Sequence, residues 1–354
     1  MRDNTGRSTT GKSIFGPGHT ASAPTWREIG AWTRGTVNAI DLRLSPTGDK
    51  LALAATSVGL LSSTDGGITW SKTATALDDP SALAVCLTTG PNGRLVAVFS
   101  SETGRLYTSE DGAETWREID GWRGLGVATV LIASPDFAHD RTLFVGTPTG
   151  IYRTFDAGAT WESSTFGLLD VEVLALACAP DFAESAVIWA GTAGGGFYRS
   201  RNAARAWRES GAGLADTAIQ CLVAPNPAGS GQRLYVGTED AGLFVSADGA
   251  ASWQPFAPAL AEASINCLAC LPDARDAQSS TANILLAGTG EGLFRSTDGG
   301  ESWALVGHEP FAALDLAWSP NGVVLAATYQ DGIFRSTDHG LTWEQVADDL
   351  AFHA

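Results

Sequence analysis

The strongest constraint on the fold is an eight-residue motif that recurs along the chain. Its pattern is Ser/Thr-x-Asp-x-Gly-x-Thr/Ser-Trp, and the first copy runs from Ser63 to Trp70. Successive copies end 46, 45, 46, 46, 50 and 40 residues further on, and the fourth has Asn202 in place of the aspartate. A fixed period of this length is typical of architectures in which each repeat is one supersecondary unit. The motif tryptophans are Trp70, Trp116, Trp161, Trp207, Trp253, Trp303 and Trp343.

Two further sequence markers share this period. A proline follows an apolar run in every repeat, and a second apolar run ends in Gly-Thr or a variant, as in Leu143–Thr147. Each repeat therefore divides into four short strands, labelled A to D, with strand A before the proline and strand D beginning at the motif tryptophan. Four strands in about 45 residues, separated by turn residues, indicate a propeller blade. The sequence thus predicts an all-β fold, a seven-bladed β-propeller with four antiparallel strands per blade.

The repeat boundaries also predict the domain organisation. We expect a flexible N-terminal tail over residues 1–24 and a single propeller over residues 25–354. Trp26 lies in a segment that copies residues 115–119, so we interpret it as an outer strand that pairs near the ring seam. The predicted blades cover about residues 37–75, 80–120, 124–166, 170–211, 215–258, 262–307 and 311–347.

The repeated motif resembles the Asp box of the BNR-repeat propellers, over nearly the whole chain. That superfamily includes sialidases, sortilin-type receptors, some glycoside hydrolases and photosystem II assembly factors. Repeats such as GIYRTFDAGATW and GLFRSTDGGESW are most similar to the assembly-factor branch. The resemblance implies a single propeller that holds protein partners and has no enzymatic activity. It is more specific for the fold than for the function, because one fold supports many activities.

Charge and hydropathy exclude several classes of partner. The formal net charge is −17, which repels phosphates, so we expect no nucleic-acid partner. The chain has no run of 18 apolar residues, so we expect no membrane insertion. Its N-terminal residues lack an apolar stretch of the signal-peptide type, which favours a cytoplasmic location.

The cysteines do not predict a metal site or a disulfide framework. Their number is five, and Cys267 and Cys270 form a C-x-x-C. This pair lies in a strand-like segment, where residues three apart point to opposite faces and cannot chelate one ion. We therefore interpret the cysteines as buried structural thiols, and we expect no metal and no cofactor.

The aspartates of the motif are interpreted as structural. Aspartate and serine side chains stabilise turns by bonding nearby backbone N–H groups, and the tryptophan brings a large apolar area to the blade interface. Their regular recurrence supports this interpretation, since a catalytic residue is needed once. The residues are Asp65, Asp111, Asp156, Asp248, Asp298 and Asp338.

Partner binding is expected on the face opposite to the Asp boxes. In a propeller the D–A and B–C loops share one face, here called the D–A/B–C face, whereas the Asp boxes lie in the C–D loops. Trp122 beside Arg123 in a D–A loop is typical of a recognition pair, and the alternative is that Trp122 packs on the rim. Other D–A loop candidates are Asp120, Phe166, Asp170, His308, Glu309 and Phe311.

The B–C loops of blades five, six and seven carry carboxylates and one tyrosine. Because these blades are neighbours, the residues predict an acidic arc that takes part in partner binding. The alternative is that they are solvated loop side chains. They are Glu239, Asp240, Glu291, Tyr329 and Asp331.

A polar pair is also predicted in the central tunnel. Counting back five residues from the repeat proline places Asp41 and Asp315 at matching positions in blades one and seven, which are adjacent across the seam. Two close carboxylates are the acid and base of glycoside hydrolysis. The alternative, which we favour, is a structural pair that lines the tunnel or forms a salt bridge with Arg43.

These features favour a non-catalytic scaffold that binds a protein or peptide on the D–A/B–C face. A sialidase is disfavoured because most arginines recur with the blades, as Arg153, Arg199, Arg295 and Arg335 do. Xyloglucanase-type enzymes use a cleft between two propellers, and sortilin-type receptors carry Cys-rich modules and a membrane span. The alternative function is a carbohydrate-active protein, a glycoside hydrolase or lectin with a glycan partner, that uses loop carboxylates and aromatics.

Overall fold

The computed structural model of the chain confirms the seven-bladed β-propeller. It describes residues 36–46, 48, 50–75, 77, 81–214, 216–225, 233–272, 283–306, 312–329 and 331–346. Seven antiparallel sheets each contain four strands that follow one another in chain order from the centre to the rim. The predicted tail, Trp26, His308, Glu309 and Phe311 lie outside the described residues.

The strands divide evenly among the blades, and the two short helices lie in blades three and four. Blades one and two contain β1 (Val37–Leu44), β2 (Lys50–Thr56), β3 (Gly59–Ser63), β4 (Ser71–Thr73), β5 (Ala82–Thr89), β6 (Leu95–Ser101), β7 (Leu106–Ser109) and β8 (Arg117–Glu118). Blades three and four contain β9 (Val130–Ala133), α1 (Phe137–Asp140), β10 (Leu143–Thr147), β11 (Gly150–Thr154), β12 (Glu162–Ser163), β13 (Val173–Cys178), α2 (Phe182–Ser185), β14 (Ile188–Thr192), β15 (Phe197–Ser200) and β16 (Arg208–Glu209).

The remaining three blades follow the same order. They contain β17 (Ile219–Val223), β18 (Leu234–Thr238), β19 (Leu243–Ser246), β20 (Gln254–Phe256), β21 (Ile265–Pro272), β22 (Asn283–Thr289), β23 (Gly292–Ser296), β24 (Ala304–Leu305), β25 (Ala313–Trp318), β26 (Val324–Thr328), β27 (Ile333–Ser336) and β28 (Glu344–Val346). Two 3-10 turns, Asp120–Trp122 and Pro258–Leu260, lie in D–A loops. No helix in the described part of the chain is long and apolar enough to span a bilayer.

The seven A strands form the innermost ring, because each contacts the A strand of the next blade and β25 contacts β1. Their close approach explains the glycine of the Gly-Thr marker. A Cβ on Gly191 would lie 2.4 Å from Cγ2 of Ile219, and a Cβ on Gly237 would lie 2.5 Å from Cγ2 of Ile265. Both isoleucines begin the A strand of the following blade. A glycine is required here because any side chain would push neighbouring blades apart.

The threonine of the same marker closes the B–C loop. The buried Thr147 hydroxyl donates to the carbonyl oxygen of Gly150 at 2.9 Å, and Thr289 does the same to Gly292 at 2.9 Å. A buried hydroxyl needs such a partner, and the bond holds the loop in a short, defined conformation. The B–C loops are therefore held in place by hydrogen bonds, and they support the longer D–A loops beside them.

The Asp-box carboxylate organises the C–D turn on the opposite face. In blade one, Asp65 Oδ1 accepts from the Ser63 hydroxyl at 2.7 Å and from the Ile68 N–H at 2.9 Å, and Oδ2 accepts from the Thr69 hydroxyl at 2.6 Å. Burial acts to raise the pKa of Asp65, but the hydrogen bonds from Thr69, Ser63 and Ile68 outweigh it and lower the pKa to about 2. The bond between the first and third residues of the motif recurs around the other five motif aspartates.

Arginines on strand C of blades three, four, six and seven join each of these blades to the next. Arg153 Nη1 donates to the carbonyl oxygen of Ala203 at 2.6 Å, and Arg199 Nη1 donates to that of Gly249 at 2.7 Å. Arg295 and Arg335 bond the carbonyls of His339 and Gly66 in the same way. These repeated arginines therefore hold neighbouring blades together, so their positions are structural.

The two cysteines of the C-x-x-C lie in different apolar clusters. Cys267 packs with Ala313 and Val324 of blade seven, whereas Cys270 packs with Tyr235 of blade five. They therefore point to opposite faces of β21, as the strand periodicity predicts.

Replacing Asp65 by alanine is expected to lower the free energy of unfolding by about 1–3 kcal/mol, because several donors of the turn lose their acceptor. Asp65→Asn is the control and is expected to cost less, since Asn202 Oδ1 accepts the equivalent bonds from Ser200 at 2.8 Å and Ala206 at 3.0 Å in blade four. Denaturant unfolding measures both values.

This destabilisation is also expected to depend on pH. The pKa of Asp65 is lowered from 3.8 to about 2, so its stabilisation is present above 3.8 and is lost as the pH falls through about 2. The two variants would contradict the structural role of the carboxylate if they unfolded at the same denaturant concentration as the wild type.

Candidate functional site

The most exposed apolar side chains of the D–A/B–C face lie on the loop between β12 and β13. Phe166 is 78% exposed and Leu169 is 85% exposed, and Val171 is exposed beside them. We call Phe166, Leu169 and Val171 the apolar knuckle. Large exposed apolar side chains that lie together mark interaction sites more often than scattered ones do. Phe166 was a sequence candidate, whereas Leu169 and Val171 were missed.

Asp170 holds the knuckle on the B–C loop of blade four. Its Oδ2 accepts from the Gly194 N–H at 2.6 Å, and its Oδ1 accepts from the Glu172 N–H at 3.2 Å. The Tyr198 hydroxyl accepts from the N–H groups of Leu169 and Asp170, both at 3.2 Å. Burial acts to raise the pKa of Asp170, but the bonds from Thr192 and from the backbone lower it. The knuckle is therefore presented by a firmly bonded loop.

The structure shows that Trp122 is not an exposed recognition residue. Its side chain is 0% exposed, and its indole N–H donates to the Gly126 carbonyl at 3.1 Å. Its ring makes edge contacts with Tyr152 and Trp161, at centroid distances of 5.3 Å and 4.9 Å. The expectation of exposure is wrong because the D–A loop folds inward over the blade interface, and the alternative of packing is confirmed.

Arg123 remains exposed, but acidic neighbours compensate its charge. Its Nε donates to Glu118 Oε1 at 2.7 Å and its Nη2 donates to Glu118 Oε2 at 2.8 Å. Asp120 lies 3.1 Å from Nη2. The guanidinium is thus paired with acidic side chains of its own loop, and the predicted Trp122–Arg123 pair does not form a joint surface.

The residues of the predicted acidic arc are exposed on the B–C loops of three successive blades. Asp240 Oδ1 accepts from the Thr217 hydroxyl at 2.5 Å, which links its loop to the preceding D–A loop. Tyr329 is 54% exposed. The other members are Glu239, Glu291 and Asp331. Within the described ranges, no three His, Cys, Asp or Glu side chains are grouped to hold a metal ion. Partner binding by the arc stays a prediction.

The tunnel pair does not occupy matching positions. Asp315 lies opposite Ala327, which corresponds to the pairing of Ala39 with Ala55 in blade one, whereas Asp41 lies opposite Leu53. The two aspartates are therefore offset by two residues, about 7 Å along a strand. The count from the proline failed because the stretch from the strand bulge to the proline is two residues longer in blade one than in blade seven.

Each tunnel carboxylate joins neighbouring A strands. Asp315 Oδ2 accepts from the Ile40 N–H at 2.9 Å across the seam, and Asp41 Oδ2 accepts from the Leu87 N–H at 2.7 Å in blade two. Each also accepts from the N–H of the residue that follows it, at 2.8 Å. Burial raises the pKa of Asp41, and Arg43 opposes this effect without forming an ion pair. Burial also raises the pKa of Asp315, to about 7. These bonds favour the structural alternative for the pair.

Sequence comparison identifies the family to which this propeller belongs. Residues 98–351 match the family described as Photosynthesis system II assembly factor YCF48, and residues 61–72 match the BNR/Asp-box repeat. The first match covers well over half of the chain. The chain belongs to the YCF48 assembly-factor family.

Solved structures and curated proteins place this YCF48-family chain beside two kinds of protein. The structure titled "YCF48 bound to D1 peptide" superposes with a TM-score of 0.65 at 17% identity, over 90% of this chain and 96% of that one. The GH74 xyloglucanase from Xanthomonas campestris superposes with a TM-score of 0.68 at 17% identity, over 92% of this chain and 56% of that one. At these identities the likeness shows the fold alone.

A local sequence match to an enzyme also exists. A xyloglucanase from Hypocrea jecorina is 34% identical over 87 residues, which are 24% of this chain and 10% of the enzyme. The chain thus spans about a tenth of the length of the curated relatives that it matches.

Asp315 is expected to make the stability of this propeller fall between about pH 4 and pH 7. Its pKa is raised from 3.8 to about 7, so its contribution is fully present below 3.8 and is lost as the pH rises through about 7. Asp315→Asn keeps an acceptor for the Ile40 N–H but cannot ionise. Its melting temperature should therefore decline less across this range than that of the wild type.

Asp170→Asn is the matched control, because the lowered pKa of Asp170 places its titration below this range. A decline with pH that is equally steep in Asp315→Asn and in the wild type would show that Asp315 does not titrate as its burial requires.

Proposed function

We propose that this YCF48-family protein is a non-catalytic scaffold that binds a protein or peptide partner on its D–A/B–C face and acts in the assembly of a larger complex. The apolar knuckle is the proposed point of attachment. Family membership supports an assembly role, and the exposure of the knuckle supports partner binding on the D–A/B–C face.

The observation that carries this proposal is the exposure of the knuckle on a loop that is held in place. Phe166 and Leu169 are the two most exposed large apolar side chains of the described residues. Aromatic and aliphatic anchors on a preorganised support lose little conformational entropy on binding, so they contribute much of the free energy of an interface. The bonds from Asp170 and Tyr198 supply that preorganisation.

A relative of known structure is bound to a D1 peptide, so a peptide is the first partner to test. A peptide can lie across the face of a rigid ring and contact several loops at once. A D1-derived peptide is therefore the probe of choice for this chain.

Glycan binding is the second candidate function, because of the local match to xyloglucanase. Glycoside hydrolysis needs two carboxyl groups that face one sugar bond. The tunnel carboxylates of Asp41 and Asp315 instead accept backbone N–H groups at two levels of the ring. This geometry favours the scaffold over the hydrolase.

A Phe166→Ser/Leu169→Ser double variant is expected to bind a D1-derived peptide about tenfold or more weakly than the wild type, because it removes both anchors. Its melting temperature should stay unchanged, since both side chains are exposed. Isothermal titration calorimetry measures the affinity.

Ile68→Ser/Leu341→Ser is the matched control on the Asp-box face, where both side chains are 52% exposed. It should bind as the wild type does. Equal affinities for all three proteins would remove the knuckle from the proposal, and binding with cleavage of a xyloglucan oligosaccharide would favour the second candidate.

A further inference from the structure

The loops around the apolar knuckle carry negative charge only. On the D–A/B–C face, from the loop between β12 and β13 to the loop between β26 and β27, the sequence contains no lysine or arginine. These loops belong to blades three to seven, so the charge is continuous over more than half of the face. Their carboxylates are Asp170, Glu172, Asp216, Glu239, Asp240, Glu262, Glu291, Glu309 and Asp331.

Five of these carboxylates lie on loops that follow directly from the knuckle. We call them the acidic row: Glu172, Asp216, Glu239, Asp240 and Glu262. All five residues are exposed, and none of them forms an ion pair within the described ranges. Only the carboxylate of Asp240 accepts a hydrogen bond from a described residue. The charge of the row is therefore not compensated within the described part of the chain.

Three glycines, Gly194, Gly195 and Gly196, separate the knuckle from the row. Asp170 Oδ2 accepts from the Gly194 N–H at 2.6 Å, and a Cβ on Gly195 would lie 3.1 Å from Asp216 Oδ1. The glycine loop therefore touches the knuckle loop on one side and Asp216 on the other. Because glycines have no side chains, a partner can lie across this loop and contact both the knuckle and the row.

The row continues across the next blade through direct contacts between loops. The Thr217 hydroxyl donates to Asp240 Oδ1 at 2.5 Å, which joins the loop before blade five to the B–C loop of that blade. The Gly242 N–H then donates to the Ala263 carbonyl at 3.2 Å, next to Glu262 in the loop before blade six. The knuckle and the acidic row thus form one continuous surface.

We propose that the acidic row selects the partner of the knuckle, and that this partner is a segment in which lysine or arginine side chains flank the apolar anchors. The inference rests on the proposed function, because the knuckle holds the apolar part of the segment. It adds the charge of the partner, which the exposure of the knuckle does not define.

Charge complementarity carries this proposal. Ammonium or guanidinium groups beside the anchors would meet carboxylates that lack a cation of their own, and complementary charges favour the right partner over wrong ones. A single exposed ion pair contributes little, so the selectivity comes from several carboxylates acting together. An acidic segment would place carboxylates against carboxylates, and the resulting repulsion excludes it from this surface.

The test compares two labelled peptides with blocked ends, KKKGLGFGKKK and QQQGLGFGQQQ, by fluorescence anisotropy on the full chain. Both peptides contain the same apolar anchors, and the flanking residues occur on both sides so that either chain direction can bind. The wild type should bind the lysine peptide about tenfold or more tightly than the glutamine peptide in about 20 mM salt. The preference should shrink in about 300 mM salt, because salt screens exposed charges.

Glu172→Gln/Asp216→Asn/Glu239→Gln should bind the two peptides within about twofold of each other, because it removes three charges of the row. Its melting temperature should stay that of the wild type, since none of the three carboxylates accepts a hydrogen bond from a described residue.

Glu114→Gln/Glu184→Gln/Glu301→Gln is the matched control, because it removes three exposed carboxylates from the Asp-box face and changes the net charge equally. It should keep the full preference for the lysine peptide. The proposal is overturned if the wild type binds both peptides equally, if the row variant keeps the preference, or if the control loses as much of it.

Failure of the proposed function gives a different result. Equal binding of the two peptides by the wild type removes the row and leaves the knuckle in place. If neither peptide binds, or if Phe166→Ser/Leu169→Ser binds both peptides as the wild type does, the knuckle is not the point of attachment and this inference falls with it.

Discussion

The whole ring depends on how closely the second strand of one blade approaches the first strand of the next. Gly146, Gly191, Gly237 and Gly288 lie at this contact, and a Cβ on any of them would stand less than 3.0 Å from the following blade. These four contacts join blades three to seven, whereas small side chains stand at the equivalent positions of the other blades, namely Ala55, Ser100 and Ala327. The ring has no exchanged strand in the described sheets, so closure between blades seven and one rests on packing and on hydrogen bonds such as that from Ile40 to Asp315.

Repeated interactions between blades close the ring. The residues that differ between blades are therefore the candidates for function. The Asp-box turns and the loop-closing threonines recur with little change. The knuckle on the loop before blade four does not recur.

Repeat period and turn chemistry were sufficient to predict the architecture and the strand order. They could not predict that Trp122 is buried, because the path of a D–A loop depends on contacts with the next blade. The count from the repeat proline placed Asp41 and Asp315 at matching positions, which is wrong. The first strand of blade one is longer, and this is visible only in the pairing register. Cross-strand neighbours depend on pairing geometry, which spacing along the chain does not determine.

The central claim is that this propeller binds a protein partner on the D–A/B–C face. Hydrogen–deuterium exchange of the full chain, with and without a D1-derived peptide, tests it most directly. The account predicts slower exchange in residues 164–172 and 192–196 when the peptide is present, with no change in the Asp-box turns. Unchanged exchange in these two segments with the peptide, together with slower exchange when a xyloglucan oligosaccharide is added, would contradict it.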